Sequence, residues 1–201
     1  MPGMVLVVTA PSGTGKTTLL KELLAADPRL TFSISYTTRE PRPGEVPGRD
    51  YFFVSPEEFR RLRDDGALVE WVEQFGYGYG TSRRWVEEAL AAGSDVIFDL
   101  EPRGARAVKA AFPQAVLIFI LPPSLEQLER RLLVRGDLKP GELATRLKQG
   151  RAELAAASWY DYLVVNDDLA TALSQLRAIV TAERCRTALL WSQLKPRFLK
   201  H

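Results

Sequence analysis

Residues 4–21, MVLVVTAPSGTGKTTLLK, decide the fold of the core. Their first part, residues 5–8, is an apolar run rich in valine, which predicts a buried parallel strand. A turn containing Gly13 and Gly15 follows, and leucines then recur at helical spacing over residues 18–26. Strand, glycine turn and helix in this order are typical of a phosphate-binding P-loop, because backbone N–H groups and a helix N-terminus then face one anion.

The turn predicts a site for a polyphosphate. Lys16 is expected to reach the β- and γ-phosphates, and the Thr17 hydroxyl is expected to hold Mg²⁺. The usual motif begins with glycine where this chain has Ala10, which we treat as a tolerated variant. The alternative is a glycine-rich turn that binds no ligand. The expected binding residues are Ala10, Pro11, Ser12, Gly13, Thr14, Gly15, Lys16, Thr17 and Thr18.

Composition narrows the classes of function. The 201-residue chain is 46% hydrophobic and 26% charged, as in ordinary globular proteins, and its net charge of +2 does not favour nucleic acid or membrane partners. His201 is the only histidine and Cys185 the only cysteine, which argues against a histidine base, a histidine metal site or a disulfide. No apolar run approaches the length of a membrane span. We therefore expect a cytoplasmic protein, as a monomer or a homodimer.

Apolar runs alternate with helical segments over much of the chain. Residues 96–99, 115–121 and 162–165 predict buried strands, so we expect a parallel sheet covered by helices on both faces. Asp99 ends one of these strands, on the side of the sheet where ligands bind. Residues 32–82 contain short strands, including one predicted over residues 32–37, and no long helix. They predict a lobe inserted into the core.

One cluster of side chains in this lobe suits a second phosphate. Arg39 and Arg42 flank Pro41, and Tyr51 and Tyr79 end two other segments. Two guanidinium groups and two phenolic hydroxyls can hold a phosphate opposite the P-loop. The alternative is a solvated basic loop.

A second cluster, of Ser35, Glu70 and Thr81, suits recognition of guanine. Guanine presents two hydrogen-bond donors on its Watson–Crick edge, and one carboxylate can accept from both. Adenine has an acceptor at N1 and would repel the carboxylate. The alternative for Glu70 is an ordinary outward-facing strand residue.

Several longer motifs resemble the guanylate kinase family and occur in that family's order. They are TTREPRPGE at residues 37–45, Asp50-Tyr51, Val69-Glu70-Trp71, Tyr79-Gly80-Thr81 and Tyr160-Asp161-Tyr162. The resemblance covers about residues 4–184 and implies an α/β fold: a P-loop core with a three-layer parallel sheet, an inserted mixed α+β GMP-binding lobe and a helical lid. The implied parts are a family domain over 1–184, with core 1–31, 94–128 and 156–184, GMP-binding lobe 32–93 and lid 129–155, and a C-terminal extension over 185–201 without an assigned role.

The resemblance also implies residue roles. Arg39, Arg42, Tyr51 and Tyr79 would bind the GMP phosphate, and Ser35, Glu70 and Thr81 would bind guanine. Asp99 would act on Mg²⁺ or contact the nucleotide, together with Glu101, where the family usually has Asp. Arg135 and Arg146 of the lid would close on the transferring phosphoryl group, with Arg131 and Arg151 as further candidates and helix-surface arginines as the alternative. The implied catalytic residues are Lys16, Arg39, Arg135 and Arg146.

The implied reaction is ATP + GMP ⇌ ADP + GDP. It needs no general base, because a phosphate oxygen of GMP is already a nucleophile. One alternative is a non-catalytic guanylate-kinase-like module that binds phosphopeptides, but such modules lose the P-loop residues that this chain retains at Lys16 and Thr17. Another is a P-loop kinase of a sugar phosphate such as ribose 1,5-bisphosphate, which would not need the guanine-binding cluster.

Overall fold

The computed structural model describes residues 3–74, 76–134 and 142–199. In chain order, the strands are β1 (Val5–Thr9), β2 (Leu30–Phe32), β3 (Ser35–Thr37), β4 (Phe52–Phe53), β5 (Leu68–Gln74), β6 (Tyr77–Ser82), β7 (Asp95–Asp99), β8 (Val116–Leu121) and β9 (Tyr162–Val165). The helices are α1 (Lys16–Ala26), α2 (Pro56–Asp64), α3 (Arg83–Ala91), α4 (Pro102–Ala111), α5 (Leu125–Val134), α6 (Glu142–Ala155), α7 (Leu169–Arg184) and α8 (Thr187–Phe198). A short 3₁₀ turn at Ala157–Trp159 precedes β9.

The core is a parallel sheet with the strand order β2-β7-β1-β8-β9. Its central strand β1 is buried along its whole length, as its uninterrupted apolar sequence predicts. Because β1 and β7 are neighbours, the turn after Thr9 and the carboxylate of Asp99 lie at adjacent strand ends. This edge of the sheet is where an α/β fold binds ligands.

Helices cover both faces of the core sheet, which gives the three layers that the sequence predicts. Residues of α1 and α7 pack on one face, in a hydrophobic cluster that includes Leu6, Val8, Leu19, Leu23 and Leu176. Residues of α3 and α4 pack on the other face, in a cluster that includes Val7, Val86, Phe98, Val108 and Phe119. Successive β1 residues alternate between the two clusters, because side chains of a strand alternate between its faces.

A second sheet, with the order β4-β3-β6-β5, forms the inserted lobe. It is mixed, since β3 pairs parallel with β4 and antiparallel with β6. The predicted fold class, a parallel core with an inserted mixed lobe, is confirmed. Residues 32–37 are not one strand, however. β2 joins the core sheet and ends where the Ser33 N–H donates to the Ile97 carbonyl at 2.8 Å, and β3 starts two residues later in the lobe.

The C-terminal helices complete the fold. The Arg184 guanidinium, at the end of α7, donates from Nε to Asp95 Oδ2 at 2.7 Å and from Nη1 to Asp27 Oδ2 at 2.6 Å. Asp95 is fully buried, so this network fixes α7 to the start of β7. Beyond it lies α8, in the extension for which the sequence suggests no role. No helix within the described ranges is long and apolar enough to cross a membrane.

Candidate active site

The P-loop leaves its N–H groups open to an anion. Gly15 lies at the N-cap of α1 with φ +91°, and no side chain caps the helix there. A Cβ at Gly15 would meet Asn166 Nδ2 at 2.6 Å, so both the backbone conformation and the space require glycine. The uncapped N–H groups and the helix dipole favour a phosphate at this point.

Neighbouring elements hold the loop in shape. The buried Thr14 hydroxyl donates to the Pro11 carbonyl at 2.5 Å, across the turn. The Thr14 carbonyl accepts from Asn166 Nδ2 at 2.7 Å and from Arg131 Nη1 at 3.3 Å. Arg131 also donates to the Asn166 carbonyl at 3.0 Å, which joins α5, the residue after β9 and the P-loop into one unit. The loop is therefore preorganised before any ligand arrives.

Lys16 forms an ion pair with Asp99 across the two strand ends. Both side chains remain partly exposed, so the ammonium can exchange Asp99 for a phosphate without opening the core. They line a cleft of about 620 Å³. Its lining includes the whole predicted P-loop set, Ala10 to Thr18, and also Asp99, Glu101, Arg131, Val134, Gln149 and Glu153.

A buried chain of hydrogen bonds lies in the lobe. The Thr81 hydroxyl donates to Glu70 Oε1 at 2.7 Å, and the Ser35 hydroxyl lies 3.2 Å from the Thr81 hydroxyl. A β-bulge between Leu68 and Glu70 sets the register that places Glu70 opposite Thr81. The structure thus brings together the three residues that the sequence assigns to guanine recognition.

Glu70 is an unusual carboxylate because it is 7% exposed and no cation is paired with it among the described residues. Burial raises the pKa of Glu70, and its hydrogen bonds with the side chain and backbone of Thr81 partly offset that rise. A ligand that donates hydrogen bonds to this carboxylate would compensate its desolvation. That is the chemistry expected of a base-reading residue.

Arg39 is held in place within the lobe by Glu45. Its Nη2 donates to both carboxylate oxygens of Glu45, at 2.8 and 3.0 Å, and the guanidinium lies 5.4 Å from the Tyr51 ring centroid. The Tyr79 ring is 6.2 Å from that of Tyr51. The backbone N–H of Arg42 donates to Glu45 Oε2 at 2.7 Å, while the Arg42 side chain is exposed. Glu45 therefore fixes the Arg39 guanidinium and the Arg42 backbone, and Tyr51 and Tyr79 pack beside that guanidinium.

Comparison with known proteins identifies the family. A family model described as guanylate kinase matches residues 3–183. The chain belongs to the guanylate kinase family. Among curated guanylate kinases, that of Aromatoleum aromaticum is 48% identical over 188 residues, covering 94% of this chain and 92% of its own. That of Gluconobacter oxydans is 50% identical over 186 residues, covering 92% and 89%.

A solved guanylate kinase has the same fold. The crystal structure of guanylate kinase from Anaplasma phagocytophilum matches this chain with a TM-score of 0.73 at 34% identity. The match covers 98% of this chain and 96% of the other. The family resemblance of the sequence motifs is therefore confirmed in sequence and in three dimensions.

Two of the four arginines that the guanylate kinase resemblance assigns to the lid have a place at the P-loop. Arg146 Nη1 donates to Ser12 Oγ at 3.2 Å, and Arg131 contacts Thr14. Arg151 is exposed on α6. Arg135 lies outside the described residues. Glu101 stands at the N-cap of α4 and lines the cleft, although its side chain caps no N–H group.

Sequence reasoning missed Asn166, Glu45, Gln149 and Glu153. Asn166 follows β9 at the ligand-binding edge of the sheet, which is a positional signal available from the sequence. Glu45 was part of the quoted guanylate kinase motif but was given no role. Gln149 and Glu153 lie four residues apart on α6, one turn and two turns after Arg146, so they share its face.

The cleft beside the P-loop, which we call the donor cleft, suits a Mg²⁺ ion that is bound mainly by the phosphates of a nucleotide. It does not suit an ion bound by protein side chains alone. The parts of the chain that the structure describes contain no group of three or more Asp, Glu, His or Cys side chains that could hold a metal. Mg²⁺ commonly keeps several waters and binds one or two carboxylates together with substrate phosphates. Thr17 and Asp99, both in the cleft, match that limited donor set.

Proposed function

We propose that this member of the guanylate kinase family transfers the γ-phosphoryl group of ATP to GMP, giving ADP and GDP. The observation that carries the proposal is the buried Glu70–Thr81–Ser35 chain, in a lobe distinct from the P-loop. A kinase that acts on a phosphate alone has no use for it. The relatives from A. aromaticum and G. oxydans are guanylate kinases by name, which supports the same reaction.

The acceptor end is the lobe. Glu70 accepts hydrogen bonds from N1–H and the exocyclic amine of guanine, with Thr81 and Ser35 beside it. Sites built on such hydrogen bonds discriminate by roughly 10⁴ or more against a base that lacks the donors. Arg39 and Arg42, with the hydroxyls of Tyr51 and Tyr79, bind the phosphate of GMP.

The donor end is the P-loop. Residues 10–18 bind the triphosphate, and Lys16 leaves Asp99 to contact the β- and γ-phosphates. Thr17 and Asp99 would hold Mg²⁺, and the ion would neutralise charge on the phosphate oxygens. The departure of the Lys16 ammonium would leave the Asp99 carboxylate free for that role.

The chemical step depends on positioning. A GMP phosphate oxygen attacks the γ-phosphorus, and the bond from that phosphorus to the bridging oxygen of ADP breaks. No side chain needs to remove a proton, because the attacking oxygen is already ionised. Lys16 and the lid residues Arg135 and Arg146 stabilise the moving negative charge, and Arg39 keeps the acceptor in line.

An assay of ADP release with different acceptors tests the proposal. GMP should support turnover, while AMP, UMP and buffer without an acceptor should give only background. Equal rates with AMP would contradict guanine recognition, and turnover with ribose 1,5-bisphosphate would favour the sugar-phosphate alternative. The cytoplasmic location, the domain boundaries and the choice between monomer and homodimer stay predictions.

A further inference from the structure

Helix α6 places four residues of one face against the P-loop. Arg146 donates to Ser12 at 3.2 Å, and Gly150 is so close that an added Cβ would lie 3.6 Å from Pro11 Cβ. Gln149 and Glu153 line the donor cleft itself. The spacing of three, four and seven residues explains why all four lie on the same face.

Glu153 has one occupied carboxylate oxygen and one without a partner. Gln149 Nε2 donates to its Oε1 at 2.9 Å and so fixes the carboxylate. Its Oε2 is buried and has no hydrogen-bond partner among the described residues. Burial raises the pKa of Glu153; the Gln149 hydrogen bond opposes that rise, nearby Glu101 adds to it and Lys16 opposes it. A cation or a hydrogen-bond donor beside the unpaired oxygen would stabilise this buried carboxylate.

Two further polar groups near Glu153 lack partners in the described parts of the chain. The hydroxyls of Thr9, at the end of β1, and of Tyr160 are both buried without a hydrogen bond. Burial raises the pKa of Tyr160, the nearby Thr9 hydroxyl opposes that rise, and the Glu153 charge adds to it. Buried polar atoms are normally satisfied by protein or by ordered water. Of these three residues, only Glu153 lines the phosphate-binding cleft, so its unpaired carboxylate oxygen is the one that can bind a water molecule of that cleft.

We propose that Glu153 is a positioning residue of the donor site, whose free carboxylate oxygen accepts hydrogen bonds from water bound to the Mg²⁺ of Mg·ATP. Gln149 orients the carboxylate through its hydrogen bond to Oε1. The inference rests on the proposed function, since it takes Mg·ATP as the donor. Residues that bind metal-bound water orient the ion without being its ligands, and losing one typically lowers metal affinity about 10- to 100-fold.

Glu153 and Asp99 have different roles in this proposal: Asp99 would bind the ion directly, and Glu153 would bind the water attached to it. Asp99 is paired with Lys16 and is released when the ammonium moves to a phosphate. Glu153 has no such ion pair with any residue that the structure describes. Its helix also carries Arg146, which contacts the P-loop from the lid side. Binding of the hydrated cation to the Glu153 carboxylate would therefore help to hold α6 against the P-loop.

Calorimetric titration with ATP, in Mg²⁺ and then in EDTA, tests the inference. The measured quantity is the gain in ATP affinity on adding Mg²⁺. Glu153→Gln should reduce this gain about tenfold, because the amide keeps the shape but loses the charge that orients the metal's water. ATP affinity in EDTA should stay the same or rise slightly. The matched control is Glu129→Gln, an exposed change of the same kind on α5, which should leave the gain unchanged.

Two further variants keep the test decisive if Glu153→Gln folds poorly. Glu153→Asp keeps the charge and should retain more of the Mg²⁺ gain than the amide does. Gln149→Ala releases the carboxylate and should reduce the gain in the same direction by less. An unchanged gain in the Glu153 variants, or an equal loss with and without Mg²⁺, would refute the inference alone. Wild-type protein that binds no ATP would refute the proposed function and the inference with it.

Discussion

The Glu70 carboxylate and the Thr81 hydroxyl form a buried hydrogen bond of 2.7 Å between neighbouring strands of the lobe. The bond fixes the orientation of the carboxylate between the two strands. The base recognition that we propose would therefore depend on the pairing of β5 with β6 and on the bulge that puts Glu70 in register.

Replacing Glu70 should affect GMP more than ATP. Glu70→Gln turns one acceptor into a donor that faces the N–H groups of guanine, and lost hydrogen bonds to a charged group are worth about 1.5–3 kcal/mol. The KM for GMP should rise on the order of ten- to a hundredfold while the KM for ATP stays within about twofold of wild type. Steady-state kinetics check this, with Glu73→Gln on the exposed side of β5 as control. Equal changes in both KM values would argue against base reading.

The same substitution should stabilise the protein without ligand. The pKa of Glu70 is raised in the folded protein, so folding favours the neutral carboxyl group. The free energy of unfolding is therefore highest below the ordinary pKa of 4.5, and it decreases as the pH rises through the pKa of the folded state. Glu70→Gln has no charge to bury and keeps an acceptor for Thr81. Its melting temperature should exceed that of wild type at neutral pH, and the difference should narrow as the pH falls towards 4.5. Scanning calorimetry over this range checks the trend; a constant difference would contradict it.

Removal of the Lys16 ammonium should abolish most turnover and leave the fold intact. Lys16→Ala takes away a positive charge from the phosphates in the transition state, and losing one such group commonly reduces kcat on the order of 10² to 10³. The lost ion pair with Asp99 is partly exposed, so the free energy of unfolding should change by only about 1 kcal/mol. The control is Lys21→Ala, at an exposed position of the same helix. Rates like those of wild type would refute the assigned role.

Loss of Arg184 should destabilise the fold without changing substrate affinity. Arg184→Met leaves the fully buried Asp95 without its closest cation, and breaking a buried ion pair costs about 3–5 kcal/mol. Chemical denaturation should report this loss, while the KM values of the surviving folded protein stay unchanged. Arg177→Met, exposed on α7, should have little effect. A loss below about 1 kcal/mol would show that Asp95 is adequately solvated or paired by other groups.

The sequence predicts the sheet, the P-loop and the composition of the acceptor lobe because these depend on local patterns. Apolar runs identify buried strands such as β8. The P-loop, with Gly13 and Gly15, consists of consecutive residues and can be recognised from them directly. The strand predicted over residues 32–37 fails for a physical reason. Alternation of polar and apolar side chains does not reveal that Phe32 pairs with the core and Ser35 with another sheet.

The contributions of Asn166 and Glu153 depend on tertiary placement. Asn166 acts on the P-loop only because β9 ends beside it, and its partner Thr14 lies 152 positions away in sequence. Glu153 faces the cleft because α6 turns one face towards Ser12 and Pro11. Neither contact follows from a local pattern of residue types.

The two-point bond between Arg39 and Glu45 has a consequence for selectivity. The guanidinium already has an intramolecular counter-anion, and a tethered group competes at an effective concentration that free solutes rarely reach. Inorganic phosphate or sulfate must therefore compete with Glu45 for the Nη2 group of Arg39. A nucleotide also brings the binding energy of its base, so we expect the lobe to favour a phosphate attached to guanine over the free ion.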